Sequence, residues 1–184
     1  MKQFLFVGCI ALLAACNNAG TTETKTDSTA AATAKPEKKA MPTMPYTLAK
    51  PYANWQPGDP QHALTVMNSL KAWEMGDIQK SMEGFGDSIE INFDGWGGKF
   101  SKDSLSKQFT AYRGSLASAS IKMEDWESVI AEDKSEEYVT LWYKQYVTDK
   151  KGKTDSMFCV NDAKIKDGKV VSLSEAVRHY SVKK

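Results

Sequence analysis

Residues 154–182, TDSMFCVNDAKIKDGKVVSLSEAVRHYSV, carry the main sequence signal for the fold. The stretch consists of two runs rich in β-branched and aromatic residues, 154–166 and 169–182, which predict two strands. The dipeptide Asp167-Gly168 between them is a strong signal for a two-residue hairpin turn. The two strands are therefore predicted to lie side by side in antiparallel directions.

Two more strands of the same character are predicted just before this hairpin, at residues 120–131 and 136–149. Residues 132–134 connect these two strands, and a Lys-rich turn containing Gly152 leads to the next one. Because connections this short join neighbouring strands, the second half of the chain predicts a four-stranded antiparallel meander.

Three helices are predicted ahead of the meander. The first starts at Pro60, a residue suited to the first helical position, and ends at Gly76, which favours a C-terminal cap. Asp77 caps a short second helix, and Ser101 caps a third helix whose apolar stripe runs as far as Leu116.

A short strand is predicted between the second and third helices, where Ile89, Ile91 and Phe93 alternate with polar residues. The glycines from Gly95 onwards end it. Helices followed by a long meander predict an α+β domain, in which three N-terminal helices pack on a curved antiparallel sheet. Such a sheet encloses a cone-shaped cavity.

The first fifteen residues resemble a bacterial lipoprotein signal peptide. An apolar stretch covers residues 4–13, small residues occupy positions 14 and 15, and Cys16 follows. The stretch is far shorter than the roughly 20 residues that span a bilayer. The resemblance implies cleavage before Cys16 and acylation of its sulfur, so the expected partner at this end of the chain is the lipid bilayer.

The segment 16–45 is predicted to be a disordered tether between the lipidated cysteine and a folded domain at residues 46–184. After Cys16 it holds no aromatic residue and no Ile or Val, so it has too little apolar surface to fold. Asn17 favours the outer membrane over the inner one, and the expected location is the cell envelope, facing the periplasm or the cell surface.

Composition excludes several classes of function. The chain has 24 Lys and Arg against 23 Asp and Glu, with the two signs interspersed, so nucleic acid is not an expected partner. Two His and three Cys give no pair at metal-ligand spacing, so neither a metal site nor a cofactor is expected. Cys159, in an apolar strand, is expected to be a small buried hydrophobe.

The order of elements resembles the NTF2-like superfamily, which includes SnoaL-like polyketide cyclases and ketosteroid isomerase. The resemblance covers roughly residues 60–182, and its local matches are Trp73-Glu74-Met75-Gly76-Asp77-Ile78, Phe85-Gly86-Asp87 and Asp167-Gly168-Lys169-Val170-Val171-Ser172-Leu173. These matches set chain geometry and are not catalytic motifs. They imply the cone fold and a homodimer formed through the outer face of the sheet.

Ketosteroid isomerases use a base Asp on the first strand and an oxyanion hole made by a Tyr and a protonated Asp. The resemblance places Ser69 at the Tyr position and Phe93 at the base position, although a slip of one residue would bring Asn92 or Asp94 there instead. The second oxyanion position falls on Asn161, whose amide is still a donor for a carbonyl group. The isomerase base is therefore expected to be missing.

Glu175 is the residue that does not fit an apolar lining. The same alignment turns Leu173, Glu175, Val177 and His179 towards one face of the last strand. A desolvated carboxyl group there would have a raised pKa and could act as an acid or base. The other interpretation is a structural one, in which Arg178 or Lys164 pairs with Glu175 or a strand twist exposes it.

We therefore expect a membrane-anchored lipoprotein whose domain binds a small apolar molecule, or serves as an interaction module, without catalysis. The expected ligand-binding residues are Phe93, Tyr112, Tyr143, Asn161, Leu173, Glu175 and His179. The alternative is an isomerase, cyclase or lyase in which Glu175 is the acid or base and Asn161 polarises a carbonyl. A third possibility is an assembly role with the cavity filled by side chains.

Overall fold

The structure is a computed structural model and describes residues 42–180. The predicted signal peptide, Cys16 and the tether as far as residue 41 lie outside the described residues, as do residues 181–184. The chain separates into two units after Tyr46, and the helices and strands described below belong to the second unit. Between residues 42 and 180, the structure contains no helix of the length and apolarity needed to cross a membrane.

Seven strands form one sheet in the order β1-β4-β5-β6-β7-β2-β3. Their bounds are β1 Gln56–Pro57, β2 Phe85–Phe93, β3 Trp96–Ser101, β4 Leu116–Ile130, β5 Glu137–Asp149, β6 Thr154–Lys166 and β7 Lys169–His179. Strands β4 to β7 are the predicted meander, and each pairs antiparallel with the next. The predicted α+β fold with a curved sheet is therefore confirmed.

The described residues form three α-helices, α1 Pro60–Met75, α2 Ile78–Ser81 and α3 Lys102–Ser115, and a short 3-10 helix, Met82–Gly84, follows α2 directly. The second and third helices begin after their predicted caps, Asp77 and Ser101, and at α1 the Asp59 side chain accepts a hydrogen bond from the backbone N–H of Gln61. Gly76 ends α1 in the left-handed conformation, with φ of +85°. Leu116, expected on the third helix, is instead the first residue of β4, because α3 ends at Ser115.

The sheet is mixed and not wholly antiparallel, because β2 pairs in parallel with β7. A hairpin also extends the sheet where the sequence suggested only a glycine turn. Strand β2 turns at Asp94-Gly95 and pairs antiparallel with β3, so that Phe93 lies opposite Trp96. The sequence pattern did not predict this strand, because the glycines after Gly95 lower its β-propensity.

The core lies between the helices and the inner face of the sheet. From the helices and β2 it contains residues such as Ala63, Val66, Leu105 and Ile89, and from the meander residues such as Leu141. Since side chains alternate along a strand, the same parity that buries Leu141 turns Tyr143 inward and Trp142 outward.

Candidate functional site

A cavity of about 560 Å³ lies between the helices and the inner face of the sheet. Apolar side chains from α1, α3, β2 and the meander form most of its wall. Seven of the lining residues are aromatic: Trp73, Phe85, Phe93, Trp96, Phe109, Tyr112 and Tyr143. A volume of this size lies within the range of pockets that enclose small molecules, so the cone is not filled by its own side chains.

The structure brings all the predicted ligand-binding residues to this one cavity. They come from three regions of the fold, the β2–β3 hairpin, α3 and the meander, and the residues are Phe93, Tyr112, Tyr143, Asn161, Leu173, Glu175 and His179. Their role in binding stays a prediction. Phe93, which the sequence resemblance assigned to the isomerase base position, lines the cavity, and Asp94 from the adjacent turn also reaches the lining.

Glu175 is held by a tyrosine and not by a basic residue. The Tyr143 hydroxyl donates a hydrogen bond to Oε2 of Glu175 at 3.1 Å, and Tyr143 is only 1% exposed. The two basic candidates have other partners: Lys164 binds Glu136 at 2.7 Å, and Arg178 lies over the ring of Phe158. The carboxyl group therefore has a partner that carries no charge.

This buried environment raises the pKa values of three side chains in the cavity lining. Burial raises the pKa of Glu175 above its ordinary value, and the hydrogen bond from Tyr143 acts in the opposite direction. Burial, reinforced by the nearby Glu175 charge, also raises the pKa of Tyr143 well above its ordinary value. The pKa of Tyr112 is raised for the same two reasons. Both phenols therefore remain protonated donors at neutral pH.

Asn161 is the direct neighbour of Glu175 on the adjacent strand, with their Cα atoms in register. Such cross-strand partners place their Cβ atoms about 5 Å apart on the same face of the sheet. Asn161 is 6% exposed, and within the described part of the chain its Oδ1 is buried without a hydrogen-bond partner. A buried acceptor with no partner is unusual in a folded protein.

Polar residues mark the rim of the cavity. His179 Nδ1 lies 3.0 Å from Oδ2 of Asp155, and both side chains are substantially exposed. Gln108 and Tyr112 of α3 and Asp94 of the hairpin are the other exposed lining residues. The lining thus passes from a wetter rim, where Asp155 and His179 pair, to the half-buried Glu175.

Cys159 is a structural residue. It is 0% exposed, and burial, with the Glu175 charge, raises the pKa of its thiol to about 12. Its register partner on β7 is Val177, while His179 lies opposite Met157. A thiol this far from ionisation is not a nucleophile at neutral pH.

Among the polar lining residues that sequence reasoning missed are Gln145 and Asp155 of the meander. A signal for both was present in the strand alternation. Gln145 lies two residues after the inward Tyr143, and Asp155 lies an even number of residues before Asn161, so each shares the inward parity of its strand. Among the described residues, no group of three or more His, Cys, Asp or Glu side chains is arranged to hold a metal ion.

No protein-family model and no curated protein matches this chain. Solved structures do resemble it. AusH from Aspergillus nidulans is 15% identical with a TM-score of 0.54, over 67% of this chain and 87% of that one. An LEH-like epoxide hydrolase of M. tuberculosis is 12% identical with a TM-score of 0.53, over 65% and 80%. An NTF2-like protein of unknown function from Burkholderia pseudomallei is 14% identical with a TM-score of 0.51, over 64% and 91%. At these identities the likeness concerns the fold alone, and the fold of this chain is the α+β cone of the NTF2-like proteins.

Proposed function

We propose that this protein is a membrane-anchored lipoprotein whose cone domain binds a small, largely apolar molecule without changing it. The observation that carries the proposal is the cavity of about 560 Å³ walled by aromatic and aliphatic side chains. An apolar ligand that binds on such a lining gains about 25 cal/mol per Å² of apolar surface that it removes from water.

Anchoring rests on the resemblance of residues 1–16 to a lipoprotein signal. Acylation of Cys16 attaches the chain to the outer membrane, facing the periplasm or the cell surface, and the tether lets the domain stand clear of the lipid. Mass spectrometry of the membrane-extracted protein tests this part: a mature chain that begins at an acylated Cys16 is expected, and a chain whose Cys16 carries no lipid contradicts lipid anchoring through Cys16.

A homodimer through the outer sheet face is part of the proposal. Tyr146 is 44% exposed on the strand face that Trp142 shares, opposite to the cavity. Native mass spectrometry of protein purified without denaturation reports both the subunit count and any retained small molecule. A mass equal to one chain contradicts the dimer.

Binding is tested with two variants at neighbouring positions of β7. Val177 lines the cavity, whereas Ala176 is exposed on the opposite face of the same strand. Nile red is a neutral dye that fluoresces in apolar surroundings. Its fluorescence is expected to increase on binding to the unmodified protein and to Ala176→Phe. Val177→Phe fills part of the cavity and is expected to weaken that signal several-fold. Equal fluorescence from all three proteins contradicts binding in the cavity.

The second candidate is an isomerase, cyclase or lyase reaction, favoured by the register that places Glu175 beside Asn161 in the lining. Burial raises the pKa of Glu175, which is the direction expected for a catalytic carboxyl group, and the Asn161 amide is a donor for a developing oxyanion. Proteins of similar fold include an epoxide hydrolase as well as a protein of unknown function. The fold alone therefore does not distinguish a binding protein from an enzyme. If the Glu175→Gln variant retains the turnover rate of the unmodified protein, this mechanism is excluded.

A further inference from the structure

The charges in the cavity wall are of one sign. Three lining residues carry carboxyl groups, namely Asp94, Asp155 and Glu175, and within residues 42–180 the lining includes neither Lys nor Arg. The one basic lining residue of this region, His179, pairs with Asp155 at the rim. Among the described residues, the lining therefore leaves the acidic Glu175 without a basic residue to neutralise it.

One polar atom beside Glu175 is an acceptor without a donor. The Tyr143 hydroxyl is already engaged with Oε2 of Glu175. The Oδ1 atom of Asn161 is buried and has no partner among the described residues. Because Asn161 and Glu175 are register partners, the two acceptor groups lie side by side on one face of the sheet. A ligand that completes this arrangement has to bring N–H or O–H donors.

The aromatic wall has the electrostatic character that attracts cations. The lining rings pack as neighbours: Trp73 and Tyr112 are stacked at 6.0 Å between centroids, and Phe93 and Trp96 are 5.6 Å apart. The face of an aromatic ring carries negative partial charge and attracts an ammonium group, while the same surface buries hydrocarbon.

We infer that the ligand of this cavity is a lipophilic amine in its protonated form, whose ammonium group binds between Glu175 and Asn161 and whose hydrocarbon part packs on the aromatic wall. This inference rests on the proposed binding function and specifies the class of ligand. An ammonium group supplies the donors that Oδ1 of Asn161 and the carboxylate of Glu175 accept. It also offsets the desolvation of Glu175, since a nearby positive charge favours the ionised carboxylate.

Three matched probes test the inference on the unmodified protein, by isothermal titration calorimetry at neutral pH. They are 2-naphthylmethylamine, 2-naphthalenemethanol and 2-naphthoate, which share one ring system and carry an ammonium, a hydroxyl and a carboxylate group. The ammonium probe is expected to bind about tenfold or more tightly than the alcohol, and the carboxylate probe most weakly. An alcohol that binds as tightly as the amine, or a carboxylate that binds most tightly, overturns the inference and leaves the binding function intact. Binding of none of the three overturns both.

Two charge-removing variants locate the ammonium site. Glu175→Gln keeps the shape of the side chain and an acceptor for Tyr143, and it is expected to remove most of the preference for amine over alcohol. The matched control is Glu90→Gln on β2, since Glu90 is exposed and is not a lining residue of the cavity. Its preference is expected to equal that of the unmodified protein. A preference that persists in Glu175→Gln, or that falls equally in both variants, contradicts the site.

Discussion

Replacing Tyr143 by Phe is expected to destabilise the protein by an amount that grows with pH. The change removes one oxygen atom from a side chain that is 1% exposed, and it removes the hydrogen bond of 3.1 Å to Oε2 of Glu175. The ring and its packing remain, so the measured loss reports the hydroxyl group and its bond to the carboxyl group.

The magnitude depends on the protonation state of Glu175. Below the ordinary carboxyl range Glu175 is neutral, and loss of a neutral hydrogen bond costs about 1 kcal/mol of unfolding free energy. Burial raises the folded-state pKa of Glu175 above its value in the unfolded chain, so ionisation costs stability as pH rises from the ordinary range through the folded-state pKa. The Tyr143 bond reduces that cost. A hydrogen bond to the ionised carboxylate is worth about 2 kcal/mol, so the loss in Tyr143→Phe is expected to roughly double at higher pH.

Urea unfolding followed by tryptophan fluorescence measures this difference between pH 4 and pH 8. The control is Tyr146→Phe, because Tyr146 is 44% exposed and lies on the outer face of the same strand. That variant is expected to match the unmodified protein at every pH. A loss in Tyr143→Phe that is the same at both pH values, or whose pH dependence persists when Glu175→Gln is added, refutes the assigned bond.

Two further predictions concern local structure. Cys159 in the folded protein is expected to resist a disulfide reagent at pH 8 for hours and to react at once in urea, because it is 0% exposed and its thiol has a pKa of about 12. Peptide mapping identifies the modified residue, and prompt reaction of the folded protein contradicts the assignment of Cys159 as a buried residue. Asp59→Ala is expected to cost about 1 kcal/mol of unfolding free energy because it removes the N-cap of α1, whereas Asp59→Asn retains an acceptor and most of the stability. Urea unfolding measures both variants, and equal losses of stability contradict a capping role.

The sequence predicted the meander well because its signals were local and strong. Alternating apolar residues and short turns predicted strands 136–149 and 154–166, and the structure has Glu137–Asp149 and Thr154–Lys166. The sequence also predicted which face of β7 points inward. Leu173 and Glu175, which were expected on the inner face, line the cavity.

The elements that were missed depend on contacts distant in sequence. The parallel pairing of β2 with β7 joins residues such as Ile91 and Leu173, and no local pattern specifies that partner. Strand β3 was hidden by its glycines, although Asp94-Gly95 is the same turn dipeptide that marked the later hairpin. The bond between Tyr143 and Glu175 links two strands that are not adjacent in the sheet; strand alternation places both residues on the inner face but does not specify that contact.

The direction of the Tyr143 bond helps to choose between binding and catalysis. A general acid has to hold its proton until the reaction needs it, and burial of Glu175 favours that state. Tyr143, however, donates to the carboxyl group, which stabilises the ionised form and also lowers its strength as a base. A bound ammonium ion would act on Glu175 in the same direction as Tyr143. The carboxyl group is therefore arranged to hold a positive charge more than to exchange a proton, and the unpartnered Oδ1 of Asn161 beside it favours the same ligand.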